Sequence, residues 1–84
     1  MRVFYTSKFE KKYKKLPSNI KIQFLSKLDT FKNKFDDPSL KTHQLFGNLV
    51  GHYAFSVNYQ YRVIFVLEKN GATFLNIGTH EIYK

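Results

Sequence analysis

Between positions 41 and 83 of this 84-residue chain, six side chains form a set able to do acid–base or phosphate chemistry: Lys41, His43, His52, Arg62, His80 and Tyr83. An imidazole exchanges protons near neutrality because its reference pKa is about 6.5. A guanidinium grips phosphate through two parallel N–H bonds. A phenol, with a pKa of about 10, is a poor base, but its hydroxyl or ring can orient a nucleotide. A histidine beside an arginine, with a tyrosine near, is enough for metal-free RNA cleavage. The ribose 2′-OH attacks the neighbouring phosphate, one group takes its proton, and another protonates the leaving 5′-oxygen. A cation stabilises the charge that builds on phosphorus.

Arg62 opens an otherwise apolar run, YRVIFVL. A charge there either sits at the rim of the core and pairs with a carboxylate, or clamps a phosphate; both readings stay open. If 61–67 and 72–78 run antiparallel, the start of one lies beside the end of the other, and Arg62 and His80 share one end of a sheet. Ser56, Asn58 and Gln60 crowd that rim. His52 lies at the other end of its run. His43 has no placement from strand geometry and also suits a loop histidine bonding backbone.

Other chemistries lack their residues. There is no cysteine, hence no disulfide or thiolate metal site. No histidine has a second histidine or carboxylate at the spacing of a zinc helix, and no metal or other cofactor is expected. Gly-rich phosphate loops and a nucleophile elbow are missing too. Asp36 and Asp37 fit a helix-ending turn better than a catalytic pair.

The chain carries a formal charge of +8, unevenly. Residues 1–41 hold eleven Lys/Arg and four Asp/Glu, and residues 42–84 hold three and two, so the first half contributes +7 and the second +1. Locally dense lysines favour a polyanionic partner, nucleic acid or an acidic protein, over a merely solvated face. No stretch approaches the roughly 18 apolar residues of a membrane span, and MRVFYTSKFEKKYKK has no apolar signal core. The expected location is the cytoplasm, with no membrane partner.

One domain is expected over 1–84. Fifteen Phe and Tyr rings supply its core. RVFYT (2–6) reads as a strand. Ser7 and Glu10 form a capping box that starts a helix with an apolar stripe of Phe9, Tyr13 and Leu16. A second helix spans about 17–34, with Ile20, Phe24, Leu28, Phe31 and Phe35 on one side. DDPS (36–39) ends it. Residues 40–51 are a loop or short strand. Three strand-like runs follow, 52–57, 61–67 and 72–78, joined by hairpin-length links. The fold class is α+β: a small, twisted, mainly antiparallel sheet with a helix hairpin on one face, the first strand returning beside the meander.

With these residues in view, FEKKYKKLP, LKTHQLFGNLVGHYAFSV, YRVIF and IGTHEIY together resemble the RelE/ParE superfamily of bacterial type II toxins, nearest to the RelE and YafQ branch of mRNA interferases. The resemblance covers nearly the whole chain and implies the βααβββ order. It implies a ribosome-dependent endoribonuclease that inhibits translation, with the ribosome and mRNA as partners. It also implies a toxin–antitoxin hetero-oligomer with an acidic antitoxin encoded nearby. His80 matches the GTH histidine that serves YafQ-like members as main acid or base. Arg62 matches the RelE-like arginine on the scissile phosphate, His43 the YafQ-like LKDH histidine, and Tyr83 a C-terminal aromatic. His43 is the expected proton partner of His80, with Tyr83 second. Ala54 and Gln60 stand where YafQ-like members carry acids, and Ser56 near an expected histidine, so the site is a hybrid of the two branches. Lys41, His52 and Gln60 are expected to contact RNA, and Lys11, Lys12, Lys14 and Lys15 to hold ribosomal RNA. The alternatives are a ParE-like inhibitor of DNA gyrase and a catalytically inactive nucleic-acid-binding module.

Overall fold

Thr6 turns the chain from strand to helix. β1 (Arg2–Tyr5) ends before it and α1 (Ser7–Lys14) starts after it, and the Thr6 hydroxyl accepts from the Phe9 amide at 3.1 Å. The same hydroxyl donates to the Leu75 carbonyl at 3.1 Å, tying the helix start to the sheet. The sequence pattern puts this cap at Ser7. The structure puts it at Thr6, the last residue in an extended conformation (φ −81°, ψ 161°), from which a short hydroxyl reaches the amide three residues on. In this computed structural model residues 1–83 are described.

Leu16 precedes Pro17 and cannot continue α1 without strain, so α2 (Ser18–Asn33) begins almost at once and the two helices form a hairpin. Its buried residues Ile20, Phe24 and Phe31, with half-buried Leu28, follow the spacing of one helix face. Lys34 leaves the helix in an extended conformation, and Asp37 then caps a 3-10 turn at Pro38–Leu40 by accepting from the Ser39 amide at 2.9 Å. The segment read as a loop or short strand becomes a two-residue strand, β2 (His43–Gln44), and a 3-10 turn at Gly47–Leu49. β3 (Tyr53–Ser56), β4 (Arg62–Glu68) and β5 (Gly71–Gly78) form the expected meander. A last 3-10 turn covers His80–Tyr83.

The sheet order is β1-β5-β4-β3-β2. β1 runs parallel to β5, and every other pair is antiparallel. The fold is α+β, and β1 returns beside the meander as anticipated. The helices cover one face, where Phe31, Phe55, Phe65 and Phe74 lie wholly buried with ring centroids 5.0–6.2 Å apart. Each such ring buries enough apolar surface that truncating it to alanine costs about 3–5 kcal/mol.

The opposite face carries Arg62 and the residues in register with it. Ser56, Arg62 and Gly78 stand in one cross-strand row, and His43, Ala54, Ile64 and Asn76 in the next. A bulge at Leu75 sets this arrangement: Phe65 pairs with Phe74 but Ile64 with Asn76, so Leu75 is the extra residue. The shift keeps Ile77 in the core beside Val63 and turns Asn76 and Gly78 to the open face. Among the described residues no helix is long and apolar enough to cross a membrane.

Candidate active site

Arg62 is placed by its strand and held by the loop before it. Its Nη1 donates to the Asn58 carbonyl and, at 3.1 Å, to that of Tyr61. Asn58 shapes the same loop, its side-chain oxygen accepting from the Gln60 and Tyr61 amides at 2.8 Å each. These backbone contacts fix one edge of the guanidinium and leave the other edge for a ligand, the geometry a bidentate phosphate clamp requires.

His80 follows β5 by two residues. Because Gly78 pairs with Arg62, the turn after β5 brings His80 over the same end of the sheet. The two side chains line one open cleft with Thr79, Gln60 and Tyr59. His80 is exposed. Tyr83 closes the group from the end of the tail, its ring edge-on to His80 with centroids 5.7 Å apart. Burial raises the Tyr83 pKa above its ordinary value, and the positive charge of Arg62 opposes that shift. The Tyr83 hydroxyl is itself buried and has no hydrogen-bond partner among the described residues. An unpaired buried hydroxyl costs roughly 1–3 kcal/mol, and because this one is closed to solvent a ligand oxygen reaches it only if the C-terminal turn shifts.

Arg62 also borders a second groove, on its other side, with Lys41, Lys27, Ser56 and Asn58. Lys41 has a left-handed backbone, φ 53° and ψ 39°, strained by about 1 kcal/mol for a non-glycine residue. That twist aims its carbonyl at His43, whose Nδ1 lies 2.9 Å away and donates to it. The proton is thereby held on Nδ1 and the free lone pair on Nε2.

The structure therefore brings together Arg62, His80, Tyr83 and Gln60, and sets Lys41 on the adjoining groove. His43 stands apart: β2 is three strand spacings from β5, about 14 Å, and His43 borders neither groove. His52 also lies elsewhere, in a cleft with Lys8, Asn76 and Ile82, its Nδ1 3.4 Å from the Val50 carbonyl. Lys11 and Lys14 on α1, and Lys15 just after it, are exposed. Lys12 is half-buried, and its pKa is lowered, first by that burial and then by the charge of Lys8. Among the described residues no three His, Asp or Glu side chains are grouped to hold a metal ion.

Sequence reasoning passed over Tyr59. It is 91% exposed at the tip of the β3–β4 loop and borders both grooves beside Arg62. An aromatic ring left in water next to a cation suits base stacking. The available signal was its place in the tight link NYQ, where a large apolar ring has no core to enter.

No protein-family profile matches the chain, and no curated protein sequence does. Solved structures do match it along nearly their whole length. The YoeB/ParE toxin from Agrobacterium tumefaciens superposes with a TM-score of 0.79 at 13% identity, covering 95% of this chain and 99% of that one. The YoeB–YefM toxin–antitoxin complex from Staphylococcus aureus gives 0.77 at 15% identity, with 95% and 97% covered. YafQ from E. coli gives 0.71 at 20% identity, with 98% and 96% covered. At such identities the likeness is one of fold, and the chain has the fold of these toxins.

Proposed function

We propose that this protein is the toxin of a type II toxin–antitoxin pair and a metal-independent endoribonuclease that cuts mRNA on the ribosome in the cytoplasm. The observation that carries the reading is the convergence of Arg62 and His80 on one cleft, with the unpartnered Tyr83 hydroxyl beside them. The shared fold with YoeB- and YafQ-type toxins supports it.

In this reading Arg62 grips the scissile phosphate with the edge of its guanidinium not used on the loop carbonyls. His80 takes the proton of the 2′-OH, whose oxygen bonds to phosphorus. The bond from phosphorus to the 5′-oxygen breaks, and Tyr83, kept protonated by its burial, gives that oxygen its proton. The products are a cyclic 2′,3′-phosphate and a free 5′-hydroxyl. His80 returns its proton to Tyr83 to close the cycle. Tyr83 takes the partner role in place of the more distant His43. Tyr59 and Gln60 flank the phosphate, the first as a stacking surface.

A positively charged chain of this size is held silent by an acidic antitoxin segment that folds on binding across the lysine-rich helix hairpin. Primer extension on mRNA after induction tests the nuclease. His80→Gln is expected to lower cutting by about 10²–10⁴-fold, the usual worth of a general acid or base. Undiminished cutting by that variant overturns the reading. Incubation with gyrase and relaxed plasmid tests the ParE-like alternative.

A further inference from the structure

The open face of the sheet holds a second cleft, on the other side of the C-terminal turn, bordered by Lys8, His52, Asn76, Leu49, Ile64 and Ile82. Its chemistry is uncommon for an accidental hollow. Asn76 is only 8% exposed, and its side-chain oxygen accepts from the Ile77 amide at 2.9 Å. That bond fixes the carboxamide, and among the described residues no group accepts from its Nδ2. Because Nδ2 still meets solvent, its two N–H groups are open to an acceptor that enters the cleft. Leu49, Ile64 and Ile82 give the cleft an apolar floor. His52 adds an imidazole whose Nδ1 is turned to the Val50 carbonyl, leaving Nε2 free, and Lys8 adds a cation at the mouth.

Aliphatic walls, an amide that can donate to ring carbonyls or nitrogens, an imidazole and a lysine for phosphate together make a lining that suits a nucleotide. The placement fits a strand already held at Arg62. Arg62 and Gly78 form one cross-strand row, Ile64 and Asn76 the next on the same face, two residues or about 7 Å further along β4 and β5. That step is comparable with one nucleotide of an extended single strand. We infer that this cleft is a nucleotide subsite for the RNA, in which Asn76 reads the base edge and Lys8 holds its phosphate. The inference rests on the nuclease reading for the identity of the polymer.

Fluorescence anisotropy with uncleavable RNA, 2′-deoxy at the scissile position, tests it on the intact protein. A tetranucleotide is compared with a dinucleotide too short to span both clefts. Asn76→Asp keeps the oxygen that accepts from Ile77 but replaces the donors with a carboxylate, and is expected to weaken tetranucleotide binding about tenfold. Lys8→Gln, on the exposed helix surface, is expected to weaken it about threefold and to reduce the salt slope by about 0.7. Neither should change dinucleotide affinity. Tetranucleotide binding unchanged in both variants overturns the subsite and leaves the nuclease intact. Absence of RNA binding by the wild type removes both.

Discussion

Ile82 fills the space that a side chain at Gly78 would need: its Cγ2 lies 2.7 Å from where a Cβ on Gly78 would stand. The last turn of the chain is thus seated on the end of β5, and His80 and Tyr83 ride on that turn. Gly78 has an ordinary backbone conformation, so an alanine there is resisted by Ile82 and the tip of Lys12, not by strain. Gly78→Ala is expected to push the turn off the sheet by a few tenths of an ångström or more. Misplacement of catalytic groups by about 1 Å can cost 10²-fold in rate. Cutting should therefore fall at least tenfold with only a small change in melting temperature. Equal activity would show that the seat does not position the site.

Tyr83→Phe separates stability from activity. The phenol oxygen is buried without a partner, so removing it should leave the fold as stable or about 1 kcal/mol more stable. Cutting should drop by 10² or more if the hydroxyl supplies a proton. Thermal melts and primer extension on the same preparation check both, and a loss of stability would mean that the hydroxyl is satisfied in the native state.

Alkaline pH should weaken the fold through two tyrosines. Burial raises the pKa of both Tyr5 and Tyr83, with Tyr13 adding to the first shift and Arg62 opposing the second. Both phenols stay protonated longer in the folded chain than in the unfolded one. Their contribution is complete below about pH 10 and is lost as pH rises through the folded values. Denaturant midpoints at pH 8 and 11 should differ in that direction, and the fall should be shallower in Tyr83→Phe.

The helix cap gives a sharp local test. Thr6→Ala should cost about 1 kcal/mol or somewhat more, since the hydroxyl both caps α1 and bonds the Leu75 carbonyl. Ser7→Ala, at the first helical position, should cost almost nothing. Urea titrations distinguish the two, and the reverse order would restore the capping box at Ser7.

His43→Ala should leave cutting within a fewfold of wild type, because β2 stands three strands from the end of β5. A loss as large as that of His80→Gln would mean that RNA binding draws the two edges of the sheet together.

The sequence by itself determined the order of elements, the helix faces and the meander, because periodicity and turn residues are local: Ile20, Phe24 and Phe31 announce a helix face wherever the helix packs. It also brought Arg62 and His80 to one end of the sheet, since antiparallel pairing of neighbouring runs leaves no other choice. Tertiary structure alone decided which face each residue meets. Strict alternation along ATFLNIG would put Asn76 with Ala72 and Phe74 in the core; the extra residue at Leu75 turns Asn76 and Gly78 outward instead. A bulge depends on the register against β4, which no single strand encodes. Tyr83 was legible as an aromatic and His43 as an imidazole. Their distances from His80 depend on how the last turn settles on Gly78 and where a two-residue edge strand pairs, both set by contacts remote in sequence.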